Sequence, residues 1–437
     1  MMILKEQGIE SMSKTSEKEN WYKLDNAAKL YPAITSTQVT SVFRLSATLK
    51  EMVDYQILNK ALAHISKRFP WFTVCLKRGL FWYYFEKTET VPVAEEERFF
   101  PCMFLQYKKE GTVPFRVLYF NKRISLEISH SITDGTGAIT FLKSLLVEYF
   151  TLTGLACGDS HGVIRPGTPV YQSESEDSFQ RYYRKNLPDP PPLAKAYELD
   201  FKSISKGEYL ITTGIVDVGQ IIAATKKYQC TVTQYFIAHY FDTIQDFSKM
   251  DDRYKLLPVV MNIPVNLRSF FPSKTMRNFF AGISPTIDFR LGHYAFDELV
   301  LVIRNYMKTA ITEKKLAQQI SYNVRQEKPL WIRIVPLWLK KQILKVVYRN
   351  YGENRMTTSL SNLGDIAMPN EIEHLIDRFE FYPPPSAGTM KKVSMLSYRG
   401  KMYITFGSLT SDKTIEKLFF RKLRKSGISV KIESNGD

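Results

Sequence analysis

One local pattern, His130-x-x-x-Asp134-Gly135, has residue types that could carry out proton transfer. A histidine that is neutral near pH 7 can take a proton from an alcohol, a thiol or an amine, as a general base does. The carboxylate four residues later could orient the imidazole ring or anchor the loop through a basic partner. The alternative is a structural histidine at an interface, followed by a helix that an Asp or Thr residue caps. An apolar strand-like run precedes the pattern and an apolar helix follows it, and this context favours the general base.

Other segments of the chain extend this pattern into a family resemblance. The pattern resembles the active-site motif of the chloramphenicol-acetyltransferase-like acyltransferases. These include peptide-synthetase condensation domains, wax ester synthases, plant BAHD acyltransferases and alcohol O-acetyltransferases. The run 261–268 (MNIPVNLR), which Asn278-Phe279 follows, resembles the family's second-lobe strand that ends in an arginine. The run 358–364 (TSLSNLG) resembles its "SNxG" strand.

The resemblance implies a mixed α/β fold of two lobes, each a mixed sheet covered by helices, with an active-site channel between them. We predict an N-terminal lobe at 1–170, a linker at 171–205 that contains the stiff run Asp-Pro-Pro-Pro, and a C-terminal lobe at 206–437. Donor and acceptor would enter the channel from opposite faces. In the family, the histidine that corresponds to His130 deprotonates the acceptor, which attacks the thioester directly without an acyl-enzyme.

The resemblance also assigns supporting residues. Asp134 and Gly135 would be structural, and Asp134 would pair with Arg268 from the other lobe. The oxyanion of the tetrahedral intermediate needs a hydrogen-bond donor. Ser361, Asn362 and the backbone N–H groups near Gly135 are the candidates.

The sequence departs from two branches of the family. Ser129 stands where peptide-synthetase condensation domains have a second histidine, and no adenylation or carrier segment is attached, so we expect a stand-alone transferase. The C-terminal Asp-Phe-Gly-Trp-Gly of the plant enzymes is absent, and the run 404–408 (ITFGS) occupies a comparable place. Plant-type substrates are therefore not supported.

The charge and composition of the chain limit the classes of partner that it can bind. The 437 residues include 60 Lys and Arg against 44 Asp and Glu, a net charge of +16 that attracts polyanions. No nucleic-acid recognition module is present. The resemblance implies acyl-coenzyme A as co-substrate and a small alcohol acceptor, with an acyl carrier protein as the alternative donor, and the positive charge suits either donor. Four scattered cysteines and six histidines without ligand spacing predict no metal and no tightly bound cofactor. The polar N-terminus predicts a cytoplasmic protein, and no apolar run is long enough for a transmembrane helix. The resemblance implies a monomer, because two-lobed chains of this kind are generally monomeric.

A basic and aromatic run, 329–351 (PLWIRIVPLWLKKQILKVVYRNY), allows two interpretations. The favoured one is an amphipathic helix packed on the second lobe with its lysines in water. The alternative is a membrane-surface helix that collects a lipid-like substrate.

Three functions follow from the sequence. The first is transfer of an acyl group, most simply acetyl, from a coenzyme A thioester to an alcohol. The second is a carrier-protein-dependent transferase or condensation enzyme of natural-product or lipid assembly, for which a basic docking face is suited. The third is a catalytically silent scaffold that uses the two-lobed fold for binding. The intact His130 and Asp134 argue against the third.

Overall fold

A computed structural model describes residues 21–37, 39–106, 109, 111–249 and 257–436. The polar first 20 residues, for which we predict no secretory signal, lie outside this range. The described strands are β1 (Trp21–Lys23), β2 (Val42–Leu49), β3 (Val74–Arg78), β4 (Tyr83–Lys87), β5 (Glu95–Glu96), β6 (Phe115–Phe120), β7 (Arg123–Ser129), β8 (Leu210–Asp217), β9 (Val259–Asn266), β10 (Phe280–Ile283), β11 (Thr286–Ile287), β12 (Thr358–Asp365), β13 (Ile376–Tyr382), β14 (Lys391–Tyr398), β15 (Lys401–Ser408) and β16 (Val430–Ser434). The described α-helices are α1 (Tyr31–Ile34), α2 (Tyr55–Arg68), α3 (Gly135–Leu152), α4 (Ser178–Arg181), α5 (Val218–Lys227), α6 (Val232–Ser248), α7 (Phe296–Ala310), α8 (Glu313–Arg325), α9 (Leu330–Ile334), α10 (Leu337–Val347), α11 (Asn370–Glu373) and α12 (Thr414–Lys425).

The first large sheet positions the motif histidine. Its strand order is β13–β2–β7–β6–β5, and all pairs except β5 with β6 are antiparallel. β6 and β7 form a hairpin whose turn begins at Asn121, which has a φ of 52° that asparagine tolerates. The apolar stripe of α2 and most of α3 pack with this sheet in one buried core. His130 therefore directly follows a strand that has neighbours on both sides.

The second large sheet is formed from the later part of the chain. Among the described residues its order is β10–β9–β12–β14–β15–β8–β16, with β11 also paired to β9. β12 runs parallel to both β9 and β14, and the other pairs are antiparallel. Apolar side chains of α6, α7 and α12 pack with this sheet in a second core. Two mixed sheets covered by helices confirm the predicted mixed α/β fold class.

One strand of the predicted C-terminal lobe joins the first sheet. β13 belongs to the range 206–437, but it pairs antiparallel with β2 of the first sheet. Phe379 and Phe381 of β13 are buried in the first core, as is Leu396 of β14. An unpaired edge of β2 would leave backbone N–H and C=O groups without partners, and β13 supplies those partners. The range 206–437 therefore contributes an edge strand to the first sheet, and the lobes at 1–170 and 206–437 and the linker at 171–205 stay predictions.

The run 329–351 also differs from its favoured interpretation. It forms α9 and α10, followed by a π-helical turn at Tyr348–Gly352. α10 packs against α1, and its Leu337 N–H donates to the Leu80 carbonyl in the β3–β4 turn. Lys340 is buried rather than in water, because its ammonium donates to the Phe81 carbonyl. Among the described helices, none combines the length and the apolar character needed to cross a membrane.

Candidate active site

The backbone of His130 is fixed from two sides. Its N–H donates to the Ser41 carbonyl at 2.9 Å, next to the last β2–β7 pair. Its carbonyl accepts a hydrogen bond of 2.8 Å from the Asn278 side-chain amide, which lies 148 residues later. The hydroxyl of Ser131 donates to that of Ser129 at 2.9 Å and helps to turn the chain out of the strand. His130 thus lies where the first sheet meets the segment that connects β9 to β10.

The imidazole of His130 lies among aromatic rings. The ring of Tyr31 stacks on it at 5.5 Å between centroids, Phe43 lies at 4.4 Å and Phe280 at 6.1 Å. The buried Nδ1 atom has no hydrogen-bond partner among the described residues. The residue as a whole keeps partial exposure. Because Nδ1 is enclosed by the protein, an acceptor could reach the ring only at its other nitrogen, Nε2.

The surroundings of the ring keep it neutral. Burial is the largest cause that lowers the pKa of His130, to about 4. The negative charge of Asp134 opposes this shift, and the positive charge of Lys392 reinforces it. Because the pKa lies well below 7, the imidazole at neutral pH is in the form that can accept a proton.

Asp134 uses both carboxylate oxygens for structure. Oδ1 accepts from the N–H groups of Thr136 at 3.0 Å and Gly137 at 3.2 Å and so caps α3. Oδ2 accepts from Nη1 of Arg268 at 2.8 Å and from the N–H of Phe279 at 2.9 Å. These four bonds direct the carboxylate towards the helix end and the other half of the chain. Asp134 therefore affects the imidazole through its charge and not through a hydrogen bond.

Arg268 joins the motif to the second sheet. It lies in a 3₁₀ turn directly after β9. Its Nε and Nη2 donate to the Thr275 carbonyl at 3.1 and 2.9 Å, and Nη2 also donates to the Arg277 carbonyl at 2.6 Å. The guanidinium thus holds the loop before Asn278 while its Nη1 contacts Asp134. The structure forms the ion pair that the resemblance implies, between residues 134 positions apart.

Two glycines allow the start of α3 to approach the second half of the chain. A Cβ on Gly135 would lie 2.5 Å from Leu363 Cδ2, at the end of β12. A Cβ on Gly137 would lie 2.2 Å from the Met276 carbonyl oxygen, which belongs to the backbone and cannot rotate away. The prediction includes Gly135 and misses Gly137. The Gly-x-Gly spacing in the sequence was the available signal for Gly137.

The oxyanion candidates lie on β12 and differ in their hydrogen bonds. The Asn362 amide donates to the Thr233 hydroxyl at 3.1 Å, and its Oδ1 accepts from the N–H of Gly364 at 2.9 Å. No hydrogen bond to the Ser361 side chain is formed by any described residue. β12 reaches the motif through Leu363, and in the described structure neither Ser361 nor Asn362 bonds to the His130 side chain.

Other side chains of the site were not predicted as site residues. Asn278 links the His130 carbonyl to the buried carboxylate of Asp25, from which its Nδ2 is 3.2 Å away. Burial raises the pKa of Asp25 to about 6, and the charge of Arg277 opposes the shift. Asn278 belongs to a segment that carries the family resemblance, so a signal for it existed. Tyr31, by contrast, lies in a short entry helix with no signal of its own.

The remaining histidines and acidic groups show no second site. His239 is buried in the second core, where its Nε2 lies 3.0 Å from the Phe419 carbonyl oxygen. His64 contacts Glu148 at 2.7 Å on the outside of the first core. Within the part of the chain that the structure describes, no three metal-ligating side chains gather at one place.

Comparison with known proteins finds similarity in structure and not in sequence. No family model matches the chain, and no curated protein matches it significantly. The polyketide synthase associated protein 5 from Mycobacterium tuberculosis superposes with a TM-score of 0.60 at 12% identity, over 92% of this chain and 96% of that one. A trichothecene 15-O-acetyltransferase from Fusarium sporotrichioides gives a TM-score of 0.60 at 8% identity, over 95% of this chain and 96% of that one.

Condensation domains of peptide synthetases are similar to the same extent. The starter condensation domain of rhizomide synthetase, solved with C8-CoA and Leu-SNAC, gives a TM-score of 0.58 at 11% identity, over 93% of this chain and 94% of that one. The three superpositions cover 92–95% of this chain. The chain therefore has the fold that these condensation-domain and acetyltransferase structures share.

Proposed function

We propose that this protein transfers an acyl group, most simply acetyl, from a coenzyme A thioester to an alcohol, with His130 as the general base. The environment of the imidazole carries this proposal: burial lowers the pKa of His130 to about 4, which favours the neutral ring near pH 7, and the residue keeps partial exposure. The fold supports the class of reaction, because solved structures with this fold include acetyltransferases and a condensation domain bound to a coenzyme A derivative.

The proposed reaction needs one base and no covalent bond to the protein. The acceptor hydroxyl gives its proton to the His130 ring while its oxygen forms a bond to the thioester carbonyl carbon. The tetrahedral oxyanion then collapses, the carbon–sulfur bond breaks, and the imidazolium returns the proton to the leaving thiolate. The products are the ester and free coenzyme A. A negative oxyanion beside the ring raises the affinity of the ring for a proton, so its basicity increases as the transition state forms.

The surrounding residues would act by position. Asp134 and Arg268 would fix the strand-to-helix turn that presents His130, and Asn278 would fix its carbonyl. The aromatic rings would keep water away from the reacting atoms. Of the two oxyanion candidates, Ser361 has a hydroxyl that no described residue uses, whereas the Asn362 amide is already engaged by Thr233. We therefore favour Ser361 as the oxyanion donor.

The direct test measures free thiol released from acetyl-coenzyme A in the presence of a panel of alcohols and amines. We expect release that depends on the acceptor and that His130→Ala lowers by about 10²–10⁴-fold, the usual contribution of a general base. His293→Ala, in an exposed loop, is the matched control and should leave the rate unchanged. Reaction only with carrier-bound donors would favour the carrier-dependent alternative. No reaction with either donor would favour the binding scaffold.

A further inference from the structure

α10 presents its apolar side chains to the outside. Its buried face holds Leu337 and Lys340, and the Lys340 ammonium lies 3.6 Å from the centre of the Trp82 ring. Trp338 and Val346 lie on the opposite side and are 62% and 59% exposed. An ordinary surface helix buries its apolar stripe and exposes its lysines. α10 does the reverse at these positions, so its outer face has no partner within the described chain.

The exposed face continues beyond α10. The N–H of Leu337 bonds to the Leu80 carbonyl, which joins the β3–β4 turn to the start of the helix. α9 precedes α10 by only two residues. The side chains that these three segments expose form what we name the apolar patch: Leu80, Phe81, Leu330, Ile334, Trp338, Leu339, Ile343, Val346 and Val347. Exposed apolar side chains on neighbouring segments of a protein surface indicate an interaction site.

Positive charge accompanies the apolar patch. The run 328–352 contains six Lys and Arg residues and no Asp or Glu. Lys328, Lys345 and Arg349 are exposed. Apolar side chains with a tryptophan, flanked by exposed cations, are typical of helices that lie in the interface of an anionic bilayer.

We propose that the apolar patch docks on the surface of an anionic lipid membrane. Charge complementarity selects this occupant over a second copy of the chain, because a symmetric dimer through the patch would oppose the exposed Lys328, Lys345 and Arg349 of one copy to the same cations of the other. A nucleic acid would satisfy the cations but not the apolar side chains. A membrane interface satisfies both, since the apolar side chains enter the acyl region while lysine and arginine reach the headgroups.

The patch lies close to the candidate active site. α10 packs against α1, and Tyr31 of α1 stacks on the His130 ring. A membrane bound at the patch would thus lie one short helix away from the general base. The substrate best suited to such an arrangement is an alcohol or acyl chain that partitions into lipid, an inference that rests on the proposed function.

Vesicle binding tests the docking without any need for turnover. The full chain is sedimented with phosphatidylcholine vesicles and with vesicles that also contain phosphatidylserine. We expect binding to the anionic vesicles that weakens as salt is raised. Vesicles with brominated acyl chains should quench tryptophan fluorescence, and Trp338→Phe should lose part of this quenching. A wild-type protein that neither sediments nor is quenched would overturn the proposal.

Paired variants separate the patch from general surface effects. Trp338→Ser combined with Val346→Ser should reduce binding about tenfold or more. The control combines Phe99→Ser with Val93→Ser, two residues of similar type and exposure at another place, and should bind as the wild type does. Equal loss in both would overturn the proposal. Melting curves of both double variants that match the wild type would exclude unfolding as the cause of any loss of vesicle binding.

The charges need a matched pair of their own. Lys345→Glu combined with Arg349→Glu should lower binding to anionic vesicles by about tenfold or more. Lys60→Glu combined with Lys185→Glu makes the same change in net charge at exposed positions elsewhere and should have a smaller effect. Two results contradict the proposal: equal binding to neutral and anionic vesicles, or a dimer in sedimentation that the patch variants abolish. Thiol release with a short water-miscible alcohol reports on the catalytic proposal separately.

Discussion

Arg268→Ala tests whether the ion pair between Asp134 and Arg268 stabilises the site. The guanidinium and the Asp134 carboxylate are 12% and 7% exposed, and 2.8 Å separates their charged atoms. The substitution leaves that carboxylate without its charged partner and removes the donors to the Thr275 and Arg277 carbonyls. Breaking a buried pair on one side costs about 3–5 kcal/mol. The small remaining exposure places Arg268→Ala at the lower end, at about 3 kcal/mol.

Thermal unfolding measures this loss. For a domain of about 200 residues, 1 kcal/mol changes Tm by about 2–4 °C, so we expect Arg268→Ala to lower Tm by about 6–12 °C. The control is Arg184→Ala, because the pair of Arg184 with Glu313 has a similar distance of 2.9 Å but is about half exposed. A pair of that kind contributes only about 0–1 kcal/mol. Arg268→Lys should recover part of the loss, since lysine keeps the charge but cannot reach both carbonyls.

The difference in Tm between Arg268→Ala and Arg184→Ala decides whether the ion pair is stabilising. If Arg268→Ala and Arg184→Ala change Tm equally, the pair with Asp134 does not stabilise the junction of the two sheets, and the reasoning is refuted. If Arg268→Ala unfolds at a lower temperature than Arg184→Ala and also loses activity well below its own Tm, the pair positions the motif as well as stabilising it.

Three further predictions concern neighbouring residues. Gly137→Ala should lower Tm more than Gly135→Ala. The added Cβ meets a backbone carbonyl oxygen at position 137, whereas at position 135 it meets the end of a leucine side chain, which can move. Equal decreases in Tm would contradict this prediction. Lys392→Met should raise the pKa of His130, because it removes a positive charge that disfavours the protonated ring. The acid limb of the pH profile of kcat/KM should therefore move to higher pH. If it does not move, Lys392 does not affect the ionisation of His130. Asp25 has a pKa raised to about 6 when folded, so its contribution to stability is fully present below its unfolded value of 3.8 and is lost as pH rises through about 6. This loss is at most about 3 kcal/mol of the free energy of unfolding. Asp25→Asn should remove it when unfolding is measured between about pH 4 and pH 7. If the variant shows the same dependence of stability on pH as the wild type, another group causes the loss.

The sequence predicts the fold class through the family resemblance, and it predicts the elements on either side of His130 through local patterns. The apolar runs before and after His130 predict a strand and a helix, and the structure has β7 and α3 there. The pair of Asp134 with Arg268 was available only through the family resemblance, since no local pattern connects residues that far apart. The crossing of β13 into the first sheet had no local signal, because a strand pattern does not specify which edge the strand will pair with.

The orientation of α10 shows a different limit of sequence reasoning. Its spacing predicts an amphipathic helix with lysines in water, and the helix does form. Lys340 nevertheless turns inward, because the Phe81 carbonyl and the Trp82 ring provide a hydrogen bond and a cation–π contact that no helical pattern encodes. Tyr31 is similar: it meets His130 only because α1 folds back on the end of β7.

The measurement that tests the central claim most directly is the rate of thiol release from acetyl-coenzyme A with an alcohol acceptor, for the wild type, His130→Ala and His293→Ala. The account predicts release that requires the acceptor, a fall of about 10²–10⁴-fold in His130→Ala and no change in His293→Ala. Melting curves that match between the variants would exclude unfolding as the cause. Acceptor-dependent turnover that survives in folded His130→Ala would contradict the role of His130 as the general base.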